Sequence, residues 1–365
     1  MTTFTVDTHL FRELGELLVG RDSTALIELI KNAYDADATD VIVYGEALDN
    51  ASRGYIKIQD NGIGMSEEEF KNGFLRIASR GKDTSNRRSS AFNRRYTGAK
   101  GIGRLAAHKL AKFLRIESAR WNASAAKSEN SRGRLPAYPV GLEATIDWDL
   151  IESKTTLDEL SETNAIVIGN TELGKTAFAG TTITLSRLRR PWSQLQHGRF
   201  LEEIQTFEPP NALTAPLSKA VTLQPLIFEE PLVRDVRRAG GSRFSVRLDG
   251  DLTPPDDYWT AVLGAANWII EIDANRHDHC VHYAIAPTQA TNAHLPYAVR
   301  RFKTAHPSSS GPFFQARIIK RTGARRGELK KWTDRASGVR VYMEGFRVLP
   351  YGESRKLAAL GLGRC

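Results

Sequence analysis

The stretch Glu28-Leu-Ile-Lys-Asn32-Ala-Tyr-Asp35-Ala36 decides the fold, together with Asp60-Asn61-Gly62-Ile63-Gly64-Met65 about 25 residues later. At about 100° per residue, Glu28, Asn32 and Asp35 fall within about 60° of one helix face, and apolar residues occupy the opposite side. Such a helix presents acid and amide groups to a ligand while its other face packs against a core. The second stretch supplies one more carboxylate, Asp60, in a glycine-rich turn.

Two further motifs follow, Gly98-Ala-Lys100-Gly101-Ile102-Gly103 and Gly180-Thr181. The four motifs, in this order over roughly residues 9–186, resemble the GHKL ATPases, which include gyrase B, the ninety-kilodalton heat-shock chaperones, histidine kinases and MutL. The resemblance covers about half of the chain. It implies the fold class α+β, with a Bergerat-type α/β sandwich (helices on one face of a mixed sheet) followed by a second, transducer-like α/β domain. It also implies ATP and Mg²⁺ as cofactors.

We expect the ATP-binding domain over residues 1–230, with an ATP lid at about 80–100, and the transducer-like domain over 231–365. The segment 338–352 resembles stand-alone bacterial ATP-binding proteins of the same superfamily, often found in DNA-linked or defence settings. Such proteins usually continue further. An incomplete second domain, with an effector part missing or on another chain, is therefore part of this expectation.

Glu28 is the predicted general base, because a carboxylate can orient and deprotonate the water that attacks the γ-phosphate. The alternative is an ordinary surface glutamate. Asn32 is the predicted magnesium ligand, since Mg²⁺ prefers oxygen ligands and takes the remainder from water and phosphate. Asp35 is predicted to be a structural or nucleotide-shell residue.

Asp60 is the predicted adenine reader. A buried carboxylate that accepts from the exocyclic amine distinguishes adenine from guanine, and an unpaired buried group costs roughly 1–3 kcal/mol. Gly62 and Gly64 allow the backbone to approach the base closely. By the resemblance, Thr181 contacts Asp60 and adenine through water. The expected apolar walls of the base pocket are Ile63, Met65 and Ile77. Taken alone, the motif would read as a plain Asp-Asn-Gly turn.

The motif with Gly98, Lys100, Gly101, Ile102 and Gly103 is the predicted phosphate loop. Free amides at the start of the following helix favour phosphate, and Lys100 adds charge for the β- and γ-phosphates. The spacing matches neither a Walker A loop nor a Rossmann fingerprint. The resemblance implies that lid closure over ATP is coupled to homodimerisation.

The net charge of +9 is concentrated in two blocks. Residues 71–120 hold fourteen Lys/Arg against two acids, and residues 296–340 hold twelve against two, so the remainder is acidic. Localised basic surfaces indicate a polyanion partner, and nucleic acid is favoured over a merely solvated face. No apolar run approaches about 18 residues, which predicts no membrane partner. Two cysteines and no secretory signal favour a cytoplasmic protein.

Three functions are consistent with these motifs. The favoured one is an ATP-driven conformational clamp on nucleic acid, the alternative is a heat-shock-type chaperone, and a histidine kinase is disfavoured because only His9 precedes Glu28. The family's transducer usually sends one basic residue to the γ-phosphate. The candidates for it are Arg317, Lys320, Lys330 and Lys331. The cluster His277-Asp-His279-Cys280-Val-His282 could bind zinc, but alternation along a strand would split its ligands between two faces, so a polar strand is preferred.

Overall fold

A computed structural model gives the fold of the chain, which divides into two compact units. One unit comprises Met1–Ile204 with Asp235–Pro254, and the other comprises Gln205–Arg234 with Pro255–Cys365. The residues that the structure describes are 5–18, 21–76, 88–94, 96–97, 106–125, 135–174, 177–204, 214–219, 221–222, 226–229, 244–253, 258–275, 278–289, 299–320, 330, 338–343 and 346–347.

The first unit is built on a seven-stranded sheet. Its strands are β1 (Asp40–Glu46), β2 (Tyr55–Asp60), β3 (Ala111–Ala119), β4 (Val140–Asp147), β5 (Ile166–Glu172), β6 (Gly180–Leu188) and β7 (Ser245–Gly250). They lie in the order β5-β4-β3-β6-β2-β1-β7. All neighbours are antiparallel except β1 and β7, which are parallel. The sheet is therefore mixed, as the sequence predicts.

Helices form the second layer of this unit. They are α1 (His9–Leu18), α2 (Asp22–Asp35), α3 (Glu67–Glu69, continued by a π-turn over Phe70–Phe74), α4 (Ala106–Leu110), α5 (Trp148–Glu152) and α6 (Gln194–Ile204). Helix α2 contacts α4 and α6, and α1 contacts α4. Alternate residues of the strands, such as Val41 and Val43 in β1 or Ile56 and Ile58 in β2, are buried. This period of two supplies the inner face of the sheet that the helices cover.

The second unit has its own antiparallel sheet and core. Its elements are α7 (Tyr258–Gly264), β8 (Trp268–Asn275), β9 (Cys280–Pro287), β10 (Arg300–Ala305), β11 (Phe314–Lys320) and a short β12–β13 pair (Tyr342–Met343, Phe346–Arg347). The four longer strands lie in the order β10-β9-β8-β11. Buried Leu226, Ala266, Ile269, Ala284 and Ala286 form the core. The predicted fold class, an α+β sandwich followed by a second α/β domain, is confirmed.

The division of the chain differs from the single boundary predicted between residues 230 and 231. Strand β7 joins the first sheet because Ser245–Gly250 pair in register with Asp40–Gly45. Residues 205–234, in contrast, belong to the second unit. The chain therefore enters the second unit, returns to the first, and leaves it again.

Two helices that the sequence pattern predicts, one over residues 101–112 and one near Trp259 to Trp268, end earlier than predicted. The helix expected over 101–112 is described for Ala106–Leu110, because Ala111 already pairs with Leu188 in β6. The helix expected near Trp259 to Trp268 ends at Gly264, and Trp268 begins β8. Within the described residues, no helix combines the length and the apolarity needed to cross a membrane.

Candidate functional site

Helix α2 presents the first motif. Its apolar residues Leu26, Leu29 and Ile30 are buried, whereas Glu28 and Asn32 are partly exposed. The Glu28 Oε1 atom accepts a hydrogen bond from Lys31 Nζ at 2.8 Å. The helix thus separates a core face from a partly exposed face at Glu28 and Asn32, as its sequence period predicts, but Asp35, which was expected on that exposed face, is buried.

The second motif is fastened to the end of this helix. Asp60 is the last residue of β2, and the Asn61 Oδ1 atom after it accepts from the backbone amides of Thr39 (2.8 Å) and Asp40 (2.9 Å). The amide of Ile63 donates to the Ala36 carbonyl oxygen at 2.7 Å. Hydrogen bonds to main-chain atoms therefore join the turn after β2 directly to the turn after α2.

Two glycines make this contact possible. A Cβ atom on Gly62 would lie 2.4 Å from the Ala36 carbonyl oxygen. Gly64 has a φ of 60°, and a Cβ there would lie 2.0 Å from the carbonyl oxygen of Ala119. Glycine is required at both positions because backbone atoms occupy the space of a side chain.

The Asp60 carboxyl group is held by backbone amides. Its Oδ1 atom accepts from the Gly62 amide at 2.8 Å. Burial raises the pKa of Asp60 to about 6, and hydrogen bonds from the amides of Gly62 and Thr181 limit the rise. A poorly solvated carboxyl group in a glycine-lined turn is suited to accept a hydrogen bond from a ligand.

The fourth motif lies beside Asp60. Thr181 is its register partner in the neighbouring strand β6. The buried Thr181 hydroxyl is 2.9 Å from Ser118 Oγ, which also accepts from the Met65 amide at 2.8 Å. Ser118 therefore joins the second and fourth motifs. Sequence reasoning missed it, although a hydroxyl that continues the buried positions Leu114 and Ile116 in β3 was a usable signal.

Part of the predicted lid, residues 88–94 and 96–97, lies against the end of α2. The Asp35 Oδ1 atom accepts from the backbone amide (2.8 Å) and the hydroxyl (2.9 Å) of Thr97. Asp35 is thus engaged with the residue that precedes the predicted phosphate loop, and its place in a nucleotide shell stays a prediction. That loop, with Gly98, Lys100, Gly101, Ile102 and Gly103, lies outside the described residues, as does Ile77.

One of the four basic residues predicted to reach the γ-phosphate, Arg317, is instead buried within the second unit. Arg317 and Glu271 form an ion pair at 2.6 Å, with both side chains about 1% exposed. Glu271 also accepts from the amides of Ile227 and Phe228. Arg317 is therefore a core residue in this structure. Lys320 ends β11, Lys330 is exposed, and Lys331 lies outside the described residues.

The histidine-rich cluster has the character of a polar strand. His282 Nε2 lies 2.6 Å from Asp278 Oδ2, and this hydrogen bond lowers the pKa of Asp278. Cys280 begins β9, and His277 lies outside the described residues. Among the residues that are described, no group of three or more His, Cys, Asp or Glu could hold a metal ion.

Comparisons with known proteins match the part of the first unit that contains Glu28, Asn32 and Asp60. Residues 21–134 match the family described as "Histidine kinase-, DNA gyrase B-, and HSP90-like ATPase". A "Putative type II restriction enzyme HgiDII" from Herpetosiphon aurantiacus is 36% identical over 116 residues, which are 32% of this chain and 17% of that protein. The chain thus spans under a fifth of that relative.

A solved structure, the N-terminal domain of a DNA repair protein, shares 17% identity and covers 49% of this chain and 39% of its own, with a TM-score of 0.28.

Proposed function

Residues 21–134 form a GHKL-type ATPase domain, and from this premise we propose that the protein binds ATP at the Asp60 turn and hydrolyses it slowly. The observation that carries the proposal is the partly exposed Asp60 carboxyl group at the end of β2, which is held by the backbone amide of Gly62 and has a raised pKa. Such an acceptor suits the exocyclic amine of adenine, whereas guanine presents a carbonyl oxygen there. Hydrogen bonds connect Thr181, Ser118 and Met65 beside this carboxyl group, and in the proposal these residues form one wall of the base pocket.

Glu28 acts as the general base in this proposal. Its Oε1 atom accepts from Lys31, which leaves the second carboxylate oxygen to orient a water and receive its proton. Asn32, one helical turn later, holds Mg²⁺ through its amide oxygen, and the partly exposed position leaves room for water and phosphate ligands. Bound Mg²⁺ would neutralise charge on the phosphate oxygens during transfer.

The proposed output is a conformational clamp. ATP binding would close the lid of about residues 80–100 and favour a homodimer, in which two chains enclose a client. The tie between Asp35 and Thr97 supports this coupling, because it connects the helix of Glu28 and Asn32 to the start of the predicted phosphate loop.

Nucleic acid is the proposed client, in a DNA repair or defence setting. Support comes from the two basic blocks, since a polyanion is attracted by clustered Lys and Arg. The match to a protein named as a restriction enzyme is in keeping with it.

A heat-shock-type remodelling of a protein client is the second candidate. It is favoured because several cations of the first basic block are buried or paired with acids of this chain. Arg94 is buried, Arg115 pairs with Glu143 at 3.0 Å, and Arg120 pairs with Glu69 at 2.7 Å. Each such pairing leaves less positive charge at the surface for nucleic acid.

The test is ATP hydrolysis by the wild type and by Glu28→Ala, with and without double-stranded DNA, at about 50 mM and about 200 mM salt. We expect Glu28→Ala to bind ATP normally and to lose roughly 10²–10⁴-fold in hydrolysis. We expect DNA to stimulate the wild type at the lower salt and to do so much less at the higher.

Each part of the proposal has its own contrary result. Normal turnover by Glu28→Ala would remove Glu28 as the base. Hydrolysis that is indifferent to DNA at low salt would favour the protein client. Glu67→Ala is a matched control, since Glu67 carries an exposed carboxylate that also pairs with a lysine on its own helix turn, and its turnover should equal that of the wild type.

A further inference from the structure

Asp37 lies in the turn directly after α2, and the proposed ATP chemistry gives this acidic residue no role. Asp37 is fully buried and has a φ of 62°, a left-handed conformation that few residues other than glycine, asparagine and aspartate adopt. Its carboxylate accepts three hydrogen bonds, from the Ser89 hydroxyl and from the amides of Ala91 (2.7 Å) and Phe92 (3.2 Å). All three donors lie in the predicted lid.

Arg94 completes the same contact from the other side. Its guanidinium donates to the carbonyl oxygens of Tyr34 (3.2 Å) and Ala38 (2.5 Å) and lies 4.6 Å from the centre of the Tyr34 ring. Burial lowers the pKa of Arg94, and the nearby Asp37 and Asp35 carboxyl groups oppose that shift. Inside the segment, the Ser89 amide donates to the Arg94 carbonyl oxygen, and the Arg94 amide donates to Ser89 Oγ.

The same short turn also supports the Asp60 site. Ala36, directly before Asp37, accepts from the Ile63 amide and contacts Gly62. Residues 35–38 therefore contact two segments. They bond the backbone of the turn that follows Asp60, and they also bond residues 88–94 and Thr97.

We propose that Asp37 is a positioning residue for nucleotide binding, which fixes residues 88–94 against the turn that carries the Asp60 site. The proposal rests on the proposed function, because it assigns Asp37 a part in ATP binding at that site. Asp37 touches no nucleotide in this proposal; it acts through Ala36 and through the segment around Ser89. Because small misplacements in a site carry large penalties, loosening this turn should weaken ATP binding.

The chemistry of the three donors explains why the residue is an aspartate. Two carboxylate oxygens can accept all three hydrogen bonds. An asparagine has one acceptor oxygen and adds an amide donor, so Asp37→Asn would set a donor against a buried donor such as the Ala91 amide. The two side chains have nearly the same shape, so this variant changes the hydrogen bonding and little else.

The experiment measures ATP affinity by calorimetry for the wild type, Asp37→Asn, Ser89→Ala and the double variant, well below their melting temperatures. We expect roughly a tenfold or greater loss of affinity for Asp37→Asn and a smaller loss for Ser89→Ala. The double variant should lose less than the two losses combined, because both variants break one contact. Asp49→Asn is the matched control, since Asp49 is exposed in the β1–β2 turn, and its affinity should be that of the wild type.

Affinity separates positioning from stability, because the folded protein far below its melting temperature binds ATP regardless of a modest loss in unfolding free energy. A folded Asp37→Asn with wild-type affinity overturns the inference, as do fully additive losses. If Asp37→Asn does not fold, Ser89→Ala decides, and unchanged affinity in that variant counts against the inference. A wild type that fails to bind ATP refutes the proposed function itself, together with what rests on it.

Discussion

Asp60 has a carboxyl group whose pKa is raised by burial to about 6, from an ordinary value near 3.8. The folded state therefore binds this proton more tightly than the unfolded state does. The contribution of Asp60 to stability is most favourable below about pH 4, declines as pH rises towards 6, and stays at its least favourable value above that. In the absence of a ligand, the charged Asp60 carboxylate therefore lowers the unfolding free energy at neutral pH.

Asp60→Asn should gain stability and lose function at the same time. An amide keeps an acceptor oxygen for the Gly62 amide but carries no charge, so at about pH 7.5 the unfolding free energy of the variant should exceed that of the wild type. The pKa shift corresponds to at most about 3 kcal/mol, and water that reaches the partly exposed Asp60 side chain reduces this difference. ATP affinity should be lost, because the charged acceptor for the adenine amine is gone.

The measurement is urea unfolding of both proteins across a pH series, with ATP titration alongside. The difference in unfolding free energy should shrink as pH falls and approach zero by about pH 3, where Asp60 is mostly neutral in both the folded and the unfolded state. Unchanged ATP affinity in the variant would mean that the base is read elsewhere. A stability difference that does not vary with pH would mean that the Asp60 carboxyl group is well solvated.

At the residue scale, the sequence predicts where Glu28 and Asn32 lie on their helix, whereas their roles stay predictions. Glu28 and Asn32 follow from the helical period and lie partly exposed on α2, as that period requires. Ser118 was missed because the alternation of β3 predicts its burial but not its partners, and Asp37 was missed because nothing local marks it. Their partners lie 63 and 52 residues away in the chain, at Thr181 and Ser89, and such contacts are fixed only by the register of strands and turns.

Among the elements, the turn from β2 to α3 gives the sharpest prediction. Gly64→Ala would force a Cβ into the Ala119 carbonyl group at a φ of 60°, so we expect a loss of at least roughly 1–2 kcal/mol in unfolding free energy and weaker ATP binding. Gly73→Ala is the matched control, because nothing lies within 4 Å of a Cβ there. Chemical denaturation of both variants and of the wild type tests this prediction. If Gly64→Ala is as stable as the wild type, the turn can rearrange to make room for the Cβ atom.

Elements with local signals were predicted well, and those set by distant partners were not. Ser66 followed three residues later by Glu69 is the sequence signature of a capping box, and the two residues form it in full because both belong to one helix turn. Ala111 and Lys112 favour a helix by propensity, yet they join β3 because its neighbour β6 offers a pairing edge. Strand β10 carries no local signal, because all six of its residues are exposed and its sequence has no apolar alternation.

For the whole molecule, the proposed clamp makes turnover depend on protein concentration. If dimerisation gates hydrolysis, the rate per mole of protein should rise with concentration and level off once most chains are paired. ATPase assays over a dilution series, with the oligomeric state followed by analytical ultracentrifugation in the presence of a non-hydrolysable ATP analogue, test this. A rate per mole that stays constant across the series would argue for a catalytically complete monomer.

The return of β7 to the first sheet has a consequence for how the protein is made. About two hundred residues separate β1 from this parallel partner. While the chain emerges from the ribosome, the outer edge of β1 stays without β7 until Gly250 has been synthesised. An open strand edge is a template for pairing with other chains. The nascent protein therefore passes through a long interval of exposure to aggregation, and any fragment that stops before Gly250 would remain in it permanently.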